Sequence, residues 1–224
     1  MKRALLIAAA FLSCAPETPG VAQHRYFAAD NARDRDHAAF REEWFGQRLR
    51  QMGEPSLFGP RALAGYELRL RLLVRRYNTP SYAIRIDHGA RGPQLTFVEL
   101  DSAAFNRPAH VARRLVRRLT DAEWQSLDAM LGRTALASLP AYALPHPPRR
   151  LADGSQEIGM CVHSTSFVLE LVDRTGTHLV ERDPCDLTLE VAALADSMIA
   201  LRPLGAEDDR SILAEQIRRP DQVS

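Results

Sequence analysis

Residues 66–72 read Tyr-Glu-Leu-Arg-Leu-Arg-Leu, a strict alternation of apolar and polar side chains. In an extended chain successive side chains point to opposite faces, so this pattern predicts a strand with one apolar and one charged face. Asn78-Thr79-Pro80 ends the run, and residues 81–87 and 94–101 supply two more strands around the Gly89 and Gly92-Pro93 turn. Together the three predict an antiparallel meander. Residues 110–119 fit either a further strand or an irregular edge, because the pairs Arg113-Arg114 and Arg117-Arg118 obscure the period.

Residues 30–52 predict an amphipathic helix, with Phe40, Trp44, Phe45, Leu49 and Met52 at helical spacing and Gly53-Glu54-Pro55 as its stop. Thr120-Asp121-Ala122-Glu123 has the form of a capping box, so a helix runs from there to about Gly132 with Trp124, Leu127 and Leu131 on one stripe. A proline-rich loop, residues 139–150, follows. Residues 162–173 and 177–183 then predict a hairpin around Arg174-Thr175-Gly176, and residues 187–201 a last helix buried along Leu187, Val191, Leu194, Met198 and Leu201. The expected fold class is α+β: an antiparallel sheet, formed by the meander and the C-terminal hairpin, with helices packed on one face. A single domain over residues 30–203, with a polar tail at 204–224, is the expected organisation. The 46% hydrophobic content of the 224 residues is enough for a sizeable core.

The first residues set the compartment. Lys2 and Arg3 precede an apolar run at residues 4–12, and small or turn-forming residues follow to residue 22, the pattern of a bacterial signal peptide. The run is too short for a bilayer, which takes about 20 apolar residues. Two cuts compete: one before Gln23, after Gly20-Val21-Ala22, and one before Cys14, where Leu12-Ser13-Cys14 resembles a bacterial lipoprotein signal. The second is favoured because the apolar run ends at Cys14. That resemblance implies that Cys14 is diacylated, that the membrane partner is reached through this lipid, and that Ala15, in place of aspartate, directs the protein to the periplasmic side of the outer membrane. Of three cysteines, Cys161 and Cys185 then remain as a possible disulfide in an oxidising compartment. In the simplest entropic account such a bridge contributes roughly 3–4 kcal/mol.

With 29 basic against 28 acidic side chains, the net charge of +1 argues against nucleic acid as a partner. Lys2 is the only lysine, so the basic residues are otherwise arginines. Arg69, Arg71, Arg75, Arg76, Arg85 and the pairs at 113–114 and 117–118 form either a basic face for an anionic lipid or glycan or, as the favoured reading, a solvated sheet face balanced by acids elsewhere.

Residues 53–58 (Gly-Glu-Pro-Ser-Leu-Phe), Tyr66 with its arginine-bearing strand and Tyr82-Ala83-Ile84-Arg85-Ile86 resemble exported proteobacterial proteins of an uncharacterised family. The helix start at Thr120–Trp124, Phe167-Val168-Leu169-Glu170 and the His178-x-x-x-Arg182-x-Pro184 segment are similar to later landmarks of that family. The chain departs from it where His163-Ser164-Thr165-Ser166 stands in place of an expected Asp-Gly. The resemblance implies a compartment and a fold, and no activity.

Candidate chemistry gathers at the hairpin. A hydrolytic reading takes His163 or His178 as base with Glu170 as orienter or second acid. If Thr175-Gly176 is the turn, Glu170 faces Glu181 and lies on the face away from His178. A zinc reading takes Cys161, His163, His178 and Cys185 as ligands, but Cys161-Val162-His163 is one residue short of the usual knuckle, and the disulfide is favoured. Ser164 and Ser166 lack a nucleophile elbow and read as strand residues. The expectation is an exported, lipid-anchored envelope protein with a binding or structural role, without cofactor or metal. The alternative is an envelope hydrolase or metal-assisted enzyme centred on His163, Glu170 and His178.

Overall fold

The computed structural model describes residues 26–27, 35–59, 61–76, 79–101, 108–142, 149–150, 156–157, 165–184 and 187–202. The signal-like segment, Cys14, Cys161, His163, Ser164, Cys185 and the tail after residue 202 lie outside them.

The fold is α+β. An antiparallel sheet contains β1 (Leu68–Arg75), β2 (Tyr82–His88), β3 (Gln94–Leu100), β4 (Val111–Arg118), β7 (Ser166–Asp173) and β8 (Gly176–Arg182), in the order β4-β3-β2-β1-β7-β8. A separate two-residue ribbon pairs β5 (Arg149–Arg150) with β6 (Gln156–Glu157). The meander and the hairpin are thus joined through β1 and β7, where Leu72 faces Leu169 and Arg71 faces Glu170. The ambiguous segment at 110–119 is β4, an edge strand that is mostly exposed on both faces, and that exposure is why its period is unreadable.

The expectation that the helices gather on one face is corrected. Helices α3 (Asp121–Thr134) and α4 (Leu189–Ala200) cover the face of Leu70, Leu72, Ile84, Phe97 and Leu169. The opposite face is covered by the N-terminal helix, which comprises α1 (Arg35–Arg41), a π-helical turn at Glu42–Gly46 and α2 (Gln47–Gln51). Its Phe45, Leu49 and Met52 pack on Leu73, Ala83, Val98 and Val168, residues one step out of phase with the first set along each strand. Both faces of the central strands are therefore dry, which makes the protein three layers thick. The N-terminal helix ends as the sequence suggests: Gly53, at φ 64°, takes the left-handed conformation that closes a helix, and Glu54 N–H donates back to the Leu49 carbonyl at 2.9 Å. That turn aims Glu54 at the sheet.

The capping box of α3 is formed in both directions. Glu123 N–H donates to Thr120 Oγ1 at 3.2 Å, and Thr120 N–H donates to Glu123 Oε2 at 2.8 Å. Arg117 at the end of β4 donates twice to the same carboxylate, at 2.8 and 3.0 Å. Chiefly through Arg117, then Thr120, the Glu123 pKa falls from 4.5 to about 2. A carboxylate with a depressed folded pKa stabilises above its unfolded pKa and loses that contribution as pH falls towards the folded one. Thr120→Ala is expected to cost about 1 kcal/mol in urea unfolding at pH 7. Glu123→Gln should flatten the stability–pH curve between 4.5 and about 2. An unchanged slope there would dissociate Glu123 from the cap.

Candidate functional site

On the N-terminal-helix face the central strands carry charges, and those charges are buried. Arg71 is 0% and Glu170 2% exposed, facing one another across β1 and β7. Arg71 Nε and Nη2 lie 2.6 and 2.5 Å from Glu170 Oε2, and Nη1 donates to the Pro55 carbonyl at 2.6 Å. One strand over, Arg85 donates to Glu54 Oε2 and, at 2.8 Å, to Asp87 Oδ2. Asp87 also accepts from Arg69 Nε at 2.7 Å, and Arg69 Nη1 reaches the Ala62 carbonyl at 3.0 Å. Three arginines and three carboxylates thus tie β7, β1 and β2 to the chain that leaves the N-terminal helix. Tyr26 closes the cluster, its hydroxyl donating to the Glu54 carbonyl at 2.8 Å. Burial pushes the Glu170 carboxyl up from its ordinary value, while the Arg71 guanidinium draws it back.

One sequence expectation is overturned here. The reading of Arg69, Arg71 and Arg85 as a solvated or ligand-binding face is corrected, because the N-terminal helix and residues 53–59 and 61–62 cover it. On β4, Arg113 lies 3.7 Å from Glu99 and Arg114 donates to the Met52 carbonyl, so these arginines also serve the fold.

Among the described residues, the hairpin does not bring Glu170 and His178 together as an acid–base pair. The turn is Arg174-Thr175, with Asp173 facing Gly176, so Glu170 faces Leu179 and His178 faces Leu171. The pairing is shifted by two residues from the expected register, and a shift of two preserves the face. Glu170 therefore points to the N-terminal-helix side and His178 to the α3–α4 side. His178 Nε2 lies 3.1 Å from Thr175 Oγ1, within a turn organised by Asp173, whose Oδ1 accepts from Thr175 N–H at 2.7 Å. Ser166, the first residue of β7, donates to Asp183 at 2.9 Å. Among the described residues no cluster of His, Cys, Asp and Glu is arranged to hold a metal ion.

The surface feature missed by sequence reasoning is a groove at the end of the sheet where β1 starts and β2 finishes. Its centre is His88, whose ring stacks on Trp124 at 4.5 Å between centroids and 6° between planes. Glu67, Asp128, Asp173 and Arg174 rim a space of about 480 Å³. Glu67 Oε2 lies 3.8 Å from His88 Nδ1. Trp124 was legible as part of the α3 stripe, but nothing local announces a partner so distant along the chain. The groove offers one aromatic stack and charged groups of both signs, which suits the recognition of a polar ligand.

Compared with protein families and with curated proteins, the chain matches none. Among the described residues, no helix is long and apolar enough to cross a membrane.

Proposed function

We propose that this is an exported envelope protein, held to the membrane by a lipid on Cys14, whose α+β domain binds a partner or ligand and performs no chemistry of its own. It would group with the uncharacterised exported proteobacterial proteins that its motifs resemble. The observation that carries the non-catalytic reading is the commitment of Glu170: the hairpin's one buried acid is held by Arg71 on the face away from His178. An acid so paired has no route to a substrate proton on the other side of the sheet. The binding surface would be the loop end of the sheet, where the His88–Trp124 groove opens.

A disulfide between Cys161 and Cys185 belongs to the same proposal. Strand β7 begins at Ser166 and β8 ends at Arg182, facing ends of one hairpin, so the segments leading to the two cysteines start from neighbouring points. Five and three residues of chain, at roughly 3.3 Å each, give ample reach.

The test is the intact mass of the mature protein from its native membrane fraction, taken without reductant and under gentle ionisation. The expected mass is the chain from Cys14 plus acyl groups, less two hydrogens, and Cys14→Ala should move the protein to the soluble fraction. A chain starting at Gln23 would remove the anchor, and a zinc adduct with both thiols reduced would replace the disulfide by a metal site.

A further inference from the structure

On the N-terminal-helix face, at the same end of the sheet, lies a second cavity of about 280 Å³. Its walls are two loops that touch backbone to backbone: a methyl group on Gly89 would lie 2.8 Å from the Gly65 carbonyl oxygen. The approach leaves a floor of glycine and alanine with few side chains to fill it. Asp87 lines the cavity but is occupied by Arg69 and Arg85, at 2.7 and 2.8 Å.

Arg91 and Arg118 also line the cavity, and both are exposed. Neither makes an ion pair or a side-chain hydrogen bond to any described residue. The other arginines on β1–β4 are engaged: Arg69 with Asp87, Arg71 with Glu170, Arg75 over the Trp44 ring, Arg85 with Glu54, Arg113 with Glu99, Arg114 with the Met52 carbonyl and Arg117 with Glu123. Around the cavity, Arg69, Arg85, Arg91 and Arg118 stand against Asp87 and Glu54, leaving two positive charges in excess. Guanidinium groups bind planar or tetrahedral oxyanions through paired N–H donors.

We propose that this cavity binds a small ligand through a phosphate or carboxylate group, held by Arg91 and Arg118, with Gln94 and the Tyr66 edge shaping the remainder. The proposal goes beyond the His88–Trp124 groove and adds a second site, with its own ligand class, at the same end of the sheet. It stands apart from the anchor, because a chain cut before Gln23 would keep the same cavity.

The experiment is a titration of the 15N-labelled protein with inorganic phosphate and, separately, with succinate, at constant ionic strength. Saturable amide shifts confined to residues 64–66, 87–94 and 118 are expected with at least one probe, and the probe that saturates names the headgroup. The double variant R91Q/R118Q should bind at least tenfold more weakly. R133Q, which removes an exposed charge at the end of α3, should bind as the wild type does. All three positions are exposed, so the variants are expected to fold, which an unchanged thermal midpoint verifies. Absence of saturable shifts with either probe, a double variant within twofold of the wild type, or an equal loss in R133Q would each overturn the proposal.

Discussion

Arg71→Met is expected to lower the unfolding free energy by about 3–5 kcal/mol. The substitution keeps most of the apolar volume but strands Glu170, which is 2% exposed and, among the described residues, has no other cationic partner at hydrogen-bond distance. It also takes a donor from the Pro55 carbonyl, worth about 1 kcal/mol. Adding Glu170→Leu should restore most of the stability, because an apolar pair of similar volume carries no desolvation cost. The double variant need not regain everything, since the Pro55 carbonyl still lacks its donor. Urea unfolding of the single and double variants checks this. A single variant within 1 kcal/mol of wild type, or a double variant no better than the single, would mean that the pair is not buried as an ion pair.

Phe45→Ala is expected to cost about 3–5 kcal/mol, as large-to-small changes in a packed core do. Phe45 is 1% exposed in the layer that covers the arginine face, so this value measures that layer. A cost near zero would mean that the N-terminal helix does not pack its apolar stripe on the sheet. The two tryptophans make a second reading available, because Trp44 lies in the N-terminal helix and Trp124 in α3. With W44F and W124F backgrounds, fluorescence reports each layer separately. Coincident urea transitions are expected for a single cooperative unit. An early Trp44 transition would show that the N-terminal helix detaches first.

The alternation at residues 66–72 was enough to place β1, and the capping box was enough to place α3, because both are local patterns with one physical explanation. The burial of Arg69 and Arg71 was not legible in the same way. Alternation says that the two faces of a strand differ; it does not say that the charged one is wet. A signal was available in β7, where Phe167-Val168-Leu169-Glu170-Leu171-Val172 is apolar on both faces apart from Glu170. Such a run describes a strand covered on both sides, and the amphipathic helix at residues 30–52 needed an apolar surface to cover. The hairpin register was displaced by two because the turn takes Arg174 and Thr175, leaving Gly176 in the strand. The His88–Trp124 stack joins residues whose proximity depends on how α3 lies across the sheet, which no local pattern encodes.

The joint between β1 and β7 has a consequence for how the chain reaches this state. Arg71 and Glu170 are 99 residues apart, and β1 sits in the middle of the finished sheet. A chain made from its N-terminus completes the β1–β4 meander well before β7 exists, so one edge of β1 waits unpaired. An apolar waiting edge invites pairing with the wrong chain. Here that edge carries Arg71, whose buried partner Glu170 arrives only with β7. A shift of one residue in β7 would turn Glu170 to the opposite face and leave Arg71 without its partner. The buried pair thus separates the register in which the sheet closes from its one-residue neighbours.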